Sequence, residues 1–189
     1  MRGQLGDGDA VKLMLENIQG VINQCTQNVR TITDIFAGTG TVSRFFKEHG
    51  YSVLSNDILY LSYVLNKGVL EMNAPISPRL REIINHLNNL SVDNCPWFDI
   101  ETAFIYQNYS PHDDCARMYF QCNNALKIDL VRQEIERLRN EVTDSEYFYL
   151  LSLLLNAVSY VSNITGTYGA YLKYWDKRTF NELTLEEVD

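Results

Sequence analysis

Apolar residues recur at two different periods along the first seventy or so positions, and each change of period marks an element. Val11, Leu15, Ile18 and Ile22 recur at helical spacing and predict a helix over 9–24, with Asp7 or Asp9 placed to cap it. The run TITDIF (31–36) is β-branched and apolar, with polar residues before it and glycines after it, which predicts a short buried strand. From Thr41 the helical period returns. Val42, Phe45, Phe46 and His49 share a face, and Gly50 follows as a terminator. YSVLSND (51–57) alternates and ends on an acid, predicting a second strand, and ILYLSYVLNKGVLEM (58–72) reads as another helix. Strand, glycine loop, helix, strand, acid and helix therefore follow one another within 31–72. That alternation specifies a parallel sheet with right-handed crossovers, whose ligands sit at the carboxyl ends of the strands. Gly38, Gly40 and Asp57 all fall at that edge.

Beyond Met72 the character changes. Ser77 caps a helix with Pro78 in its first turn, and Leu80, Ile83, Ile84, Leu87 and Leu90 form its apolar stripe. Residues 91–122 read as irregular, rich in Asp, Asn, Cys and aromatics. Two helices follow, over 124–140 and 143–162. The second opens on TDSE, in which Thr143 and Glu146 have capping-box spacing, and its leucine-rich body is apolar on most sides and expected to be buried. There are no internal repeats. The expected organisation is a cofactor-binding βαβ portion with an N-terminal helix over 1–73, then a mostly helical recognition or connecting segment over 74–189. A doubly wound domain needs more than two strands, so the α/β fold class is expected as a partial Rossmann-like sheet.

Composition narrows the picture without redirecting it. At 189 residues, 46% hydrophobic and 21% charged, the chain has the make-up of one globular domain or one and a half. The longest apolar candidate, YFYLLSLLLNAVSYV (147–161), carries Ser152, Asn156 and Ser159 and is too short for a bilayer. MRGQLGDGDAV contains no apolar signal core, so the expected location is the cytoplasm. Cys25, Cys95, Cys115 and Cys122 form no C-x-x-C pair, which argues against metal or redox work. His112, Asp113, Asp114 and Cys115 read as an acidic turn, because four adjacent residues do not readily converge on one ion. A formal net charge of -8 opposes nonspecific attraction to a polyanion. A nucleic-acid partner would need a local basic face, for which Arg117, Arg132, Lys173, Lys177 and Arg178 are candidates.

The chemistry concentrates in DIFAGTGTVSRFF (34–46). Gly-x-Gly after a strand permits a tight turn and brings backbone N–H groups close to a ligand at a helix N-terminus. GTGTVS differs from the dinucleotide pattern in its third place, where Ser43 stands. Asp34 sits four positions before the first glycine, where it would repel a pyrophosphate and attract a cation. Asp57 ends the second strand, where a carboxylate can accept both hydroxyls of a ribose. S-adenosylmethionine meets these requirements, having a ribose, an amine, a sulfonium and no phosphate. Against this stand a purely structural tight turn, and Asp57 as a helix cap, a role it could combine with ribose binding. A nicotinamide-dependent oxidoreductase would answer the glycine pattern alone.

DIFAGTGTVSRFF together with GYSVLSNDILYLSYVLNK resembles the adenine-specific DNA methyltransferases in which the cofactor motif precedes the catalytic motif. The resemblance extends along nearly the whole chain, through NYSP (108–111), RMYF (117–120), NALKIDLVRQEIE (124–136) and SNITGTYGAYLK (162–173). It implies that Asp34, Phe36, Gly38 and Gly40, with Ala37 and Thr39 in the same loop, contact S-adenosylmethionine. Asp57 would bind its ribose, with Ile58 beside the adenine. Tyr109, Ser110, Arg117, Tyr168 and Lys173 would fall among elements that meet double-stranded DNA.

One part of the family pattern is absent from the sequence. Capture of the target adenine needs Asp/Asn-Pro-Pro-Tyr, whose polar groups accept the amine hydrogens while the ring stacks on the flipped base. Pro75, Pro78, Pro96 and Pro111 include no adjacent pair, so no catalytic residue is assigned. The expectation is the cofactor-binding portion of a longer enzyme, inactive alone. The alternatives are one subunit of a split methyltransferase, whose second chain carries the catalytic motif, and a degenerate or regulatory binding module. Two smaller departures are the acidic N-terminal segment (Asp7, Asp9, with only Lys12 in a family-like place) and Asp113-Asp114, where the family has glycines.

Overall fold

The computed structural model describes residues 7–72 (side chains from Ala10), 75–112, 115–166 and 168–187. The Asp7 and Asp9 side chains, expected as helix caps, lie outside the described residues, and so do Asp113 and Asp114. The chain divides into two compact units, Met1–Asn66 and Lys67–Asp189.

The first unit holds α1 (Asp7–Cys25), β1 (Thr31–Asp34), α2 (Thr41–Glu48), β2 (Ser52–Ser55) and most of α3 (Tyr60–Leu70). Strands β1 and β2 pair in parallel, Thr31 opposite Ser52 through Asp34 opposite Ser55. The register continues past both strand ends, with Asn56 N–H donating to Asp34 C=O at 2.8 Å and Ala37 N–H to Asn56 C=O at 3.0 Å. This is a mixed helix and strand architecture around a two-stranded parallel sheet. Helix α2 ends as its glycine implies: Gly50 adopts φ 83° just beyond the His49 cap. Phe46 on α2 is fully buried and meets Tyr51 edge-to-face. The α1 stripe is covered less than its spacing suggests. Leu15 is buried and Ile18 and Ile22 half-buried, but Val11, Leu13, Met14 and Val21 are exposed.

The second unit contains α4 (Pro78–Asn88), α5 (Phe104–Tyr109), α6 (Cys122–Arg137) and α7 (Asp144–Val161), and the end of α3. Ser77 Oγ accepts from Leu80 N–H at 3.1 Å, and Thr143 and Glu146 form the reciprocal capping box. Leu80 and Leu87 of α4, Leu130, Val131 and Ile135 of α6, and Leu150 and Leu153 of α7 are fully buried. α5 falls in the stretch expected to be irregular. Its six residues carry little helical period, and its first turn is capped from another element. Asp129 on α6 accepts from Ile105 N–H at 3.0 Å and Tyr106 N–H at 2.8 Å. Two asparagines bind the C-terminal segment, Asn124 buried and Asn88 half-buried. Asn124 donates to Thr179 and Asn181 carbonyls and accepts from Leu183 N–H, while Asn88 exchanges two hydrogen bonds with Leu185.

The last turn of α3 lies hard against α7. A Cβ at Gly68 would stand 2.5 Å from the Phe148 carbonyl and 2.7 Å from Ser152 Oγ. Alanine normally gains about 1 kcal/mol over glycine inside a helix. Here the clash with helical backbone, on the order of 1–3 kcal/mol, should outweigh that gain. Gly68→Ala is expected to lower the unfolding temperature by several degrees in a thermal melt; an increase would show that α3 and α7 are not in contact.

Candidate functional site

The loop between β1 and α2 is built from backbone constraints. Gly40 N–H donates to the Ala37 carbonyl at 2.8 Å, and Arg44 N–H to the Gly40 carbonyl at 2.9 Å, so one residue both closes the turn and opens the helix. Gly38 and Gly40 have φ 54° and 83°, the left-handed region that side chains disfavour. Gly40 has a second reason to lack a side chain, because its Cβ would stand 2.5 Å from Asn66 Oδ1. Gly40 is also the N-cap of α2 and provides no capping side chain.

Both acids sit where the spacing places them, and each already has work within the fold. Asp34 Oδ2 accepts from the fully buried Ser43 hydroxyl at 2.8 Å, tying the strand end to the first turn of α2. This accounts for the serine in the third position of the glycine pattern. Asp57 Oδ2 accepts from Gly38 N–H at 2.8 Å, and Oδ1 from Leu59 N–H at 3.0 Å, just ahead of α3. These two bonds, led by that from Leu59, hold the Asp57 carboxyl below the usual carboxylate range. Asp57 thus supports the turn into α3 and grips the glycine loop, while each oxygen keeps lone-pair capacity for a further donor. On either side lie apolar side chains open to solvent, Phe36 84% exposed and Ile58 97% exposed. Ala37 is half-buried and Thr39 exposed.

The residues singled out in the second unit do not all lie alike. Tyr109, at the end of α5, meets Tyr119 at 5.4 Å between ring centroids, and Tyr119 meets Tyr171 at 4.9 Å. Lys173 Nζ lies 5.0 Å from the Tyr171 centroid, and the Tyr119 hydroxyl donates to the Tyr168 carbonyl at 3.3 Å. Desolvation raises the pKa of the Tyr168 phenol. Tyr109 and Lys173 therefore belong to one aromatic cluster, joined through Tyr119 and Tyr171, while Tyr168 meets it through its carbonyl and its ring faces Phe120. Neither of those two was singled out in the sequence, although the density of tyrosine in the three motifs was the available signal. Arg117 is exposed and donates to the Asn108 carbonyl at 3.0 Å. Ser110 lies beneath the surface, fully buried, with its hydroxyl donating to Tyr106 C=O at 2.7 Å.

Asn163, fully buried, holds this cluster together. Its amide nitrogen donates to the carbonyls of Met118, Leu172 and Tyr174, and its Oδ1 accepts from Asp176 N–H. Of the other basic candidates, Arg132 pairs with Glu136 at 3.1 Å and Arg178 donates to the Ile164 carbonyl, while Lys177 is exposed. Among the described residues no group of three or more His, Cys, Asp or Glu could hold a metal ion, and no helix is long and apolar enough to cross a membrane.

Comparison with known proteins follows the same lines. The family model for D12 class N6 adenine-specific DNA methyltransferases matches residues 12–188, and the chain belongs to that family. It is 42% identical over 185 residues to type II methyltransferase M.FokI of Planomicrobium okeanokoites, covering 93% of this chain and 28% of that protein. To modification methylase StsI of Streptococcus sanguinis it is 38% identical over 186 residues, covering 93% and 27%. To type II methyltransferase M.CviAII of Paramecium bursaria Chlorella virus 1 it is 31% identical over 176 residues, covering 93% and 51%. The chain thus spans little more than a quarter of the first two relatives. No solved structure matches it.

Two outcomes test this geometry. Because the Asp57 pKa is lowered, its contribution is complete above the ordinary value of 3.8 and is lost only as pH falls through the lower folded value. The Gly38 and Leu59 amide resonances should therefore move together only as pH falls below 3.8; no movement on acidification, or a midpoint at or above 3.8, would mean that the carboxylate does not accept from them. Asn163→Ala removes partners from buried backbone groups and should cost on the order of 1–3 kcal/mol in denaturant unfolding.

Proposed function

We propose that the first unit binds S-adenosylmethionine and the second presents a DNA-facing surface, in a methyltransferase acting on the exocyclic amine of adenine. Asp57 carries the reading: a carboxylate kept ionised at the end of β2, one bond from the glycine loop and flanked by open apolar side chains. These residues fit the cofactor. Asp57 would accept the ribose hydroxyls, Phe36 and Ile58 would cover the adenine, and Asp34 would favour the cationic end of the ligand. The bound cofactor supplies an electrophilic methyl group on a sulfonium. Asp34, Ala37, Gly38, Thr39 and Gly40 shape a loop without bulk, so that backbone donors can approach the ligand.

In the second unit, the Tyr109, Tyr119, Tyr171 and Lys173 cluster offers ring faces and a cation, groups that serve nucleic-acid contact. The partial Rossmann-like sheet and the division into a cofactor portion and a helical recognition portion belong to this same reading. Base capture would come from residues outside this sequence, which has no Pro-Pro pair, so the chain alone is expected to bind cofactor without turnover.

Calorimetric titration of the chain with S-adenosylmethionine and S-adenosylhomocysteine tests the reading. Saturable binding, weakened at least about tenfold in Asp57→Ala, is the expected result; no heat at millimolar ligand overturns it. The missing Pro-Pro pair also favours a second reading, a non-catalytic binding module. Transfer of labelled methyl to adenine-containing DNA, by the chain alone or with a second chain, would exclude that alternative.

A further inference from the structure

Asn66 lies inside helix α3, 5% exposed, at a position where a polar side chain needs a reason. Its Nδ2 donates to the Ser62 carbonyl on its own helix at 2.8 Å and to the Gly38 carbonyl in the loop at 3.0 Å. Its Oδ1 is buried without a hydrogen-bond partner and occupies the space that a Gly40 side chain would need. The amide orientation follows from its neighbours, since the reverse would set Oδ1 against two carbonyl oxygens. One side chain thus touches both glycines of the loop.

The peptide groups on the two sides of Gly38 are consequently fixed from two places. The Gly38 N–H is held by Asp57 and the Gly38 carbonyl by Asn66. A trans peptide is planar, with its C=O and N–H opposed. Drawing the Gly38 carbonyl toward α3 therefore turns the Thr39 N–H away from α3. Thr39 is exposed, and this N–H finds no acceptor among the described residues.

We propose that Asn66 is a positioning residue of the cofactor site: by holding the Gly38 carbonyl inward it presents the Thr39 N–H as a donor to an oxygen or nitrogen of the bound ligand. The inference rests on the cofactor reading above. It adds a residue, and a specific backbone donor, that the glycine pattern alone does not identify.

Asn66→Leu and Asn66→Asp of the full chain separate positioning from mere support. The leucine variant, titrated at a temperature where circular dichroism shows it folded, should bind S-adenosylmethionine about tenfold more weakly than the native chain. The aspartate variant should be weak near pH 8 and regain affinity toward pH 5, as its buried carboxyl takes up a proton and becomes a donor to Gly38. The native chain should show no such trend. On ligand addition the Thr39 amide resonance should move in the native chain and move less in the leucine variant. Native affinity in folded Asn66→Leu overturns the proposal. If that variant does not fold, a pH-independent affinity in Asn66→Asp overturns it instead. If the native chain binds no cofactor, the functional reading fails separately. Amide exchange then decides on Asn66: faster Gly38 and Gly40 exchange in the leucine variant supports the clamp, and unchanged exchange overturns it.

Discussion

The architecture around the end of β1 depends on satisfying the backbone of a loop that has no regular structure of its own. A turn through two left-handed glycines leaves peptide groups pointing in several directions, and each buried one needs a partner. The fold supplies partners from three sources. Asn56, continuing the β2 register, takes the Ala37 N–H; Asp57 takes the Gly38 N–H; Asn66 takes the Gly38 carbonyl. Without them the glycines would be free to sample many conformations, and any ligand would have to order the loop as it bound. Preorganisation is therefore a property of β2 and α3 as much as of the glycine pattern.

The second unit meets the same constraint at larger scale. Its helices satisfy themselves, but the described residues of 110–120 and 162–187 have few repeating backbone bonds. Three asparagines, of which Asn124 and Asn163 are buried and Asn88 half-buried, and one buried aspartate stand in for a sheet. Asn88, Asn124 and Asn163 each pair with backbone groups far away in sequence, and Asp129 caps α5 from outside. Burial raises the pKa of Asp129, with its backbone donors pulling the other way. The tyrosine and lysine cluster is held in place by this polar scaffold.

What could be read from the residues was whatever has a local cause. The presence of the strands, the glycine turn, the Ser77 and Thr143 caps and the position of Asp57 follow from period, propensity and spacing. The burial expected of TITDIF does not, and the strand ends at Asp34. Ile32 and Asp34 are half-buried, and Thr31, Thr33, Ile35 and Phe36 are exposed, because only one neighbouring strand pairs with it among the described residues. The family and its methyltransferase character were legible through the motifs that run from Asp34 to Lys173. What escaped depends on partners distant in sequence. α5 takes its cap from Asp129 on another helix, and nothing local to Phe104 announces it. Asn66 reads as an ordinary polar residue on a helix, since a clamp on Gly38 requires the two to be folded together. Ser43 reads as a lapse from a glycine pattern until Asp34 is seen beside it. The α1 stripe erred in the other direction: helical spacing of Val11, Leu15, Ile18 and Ile22 shows which residues could share a face, but not how completely the face is covered.

The sheet of the first unit has only two strands among the described residues, so each strand keeps one side with unpaired N–H and C=O groups. Near it stand Ile35, Phe36, Leu54 and Ile58, all exposed. Such a rim is a template for pairing between molecules. Its counterweight is the net charge of -8, which sets identical chains in mutual repulsion. That repulsion reaches only about 10 Å at moderate ionic strength and shortens as salt is added. Electrolyte thus sets how strongly the net charge opposes pairing between the open strand edges.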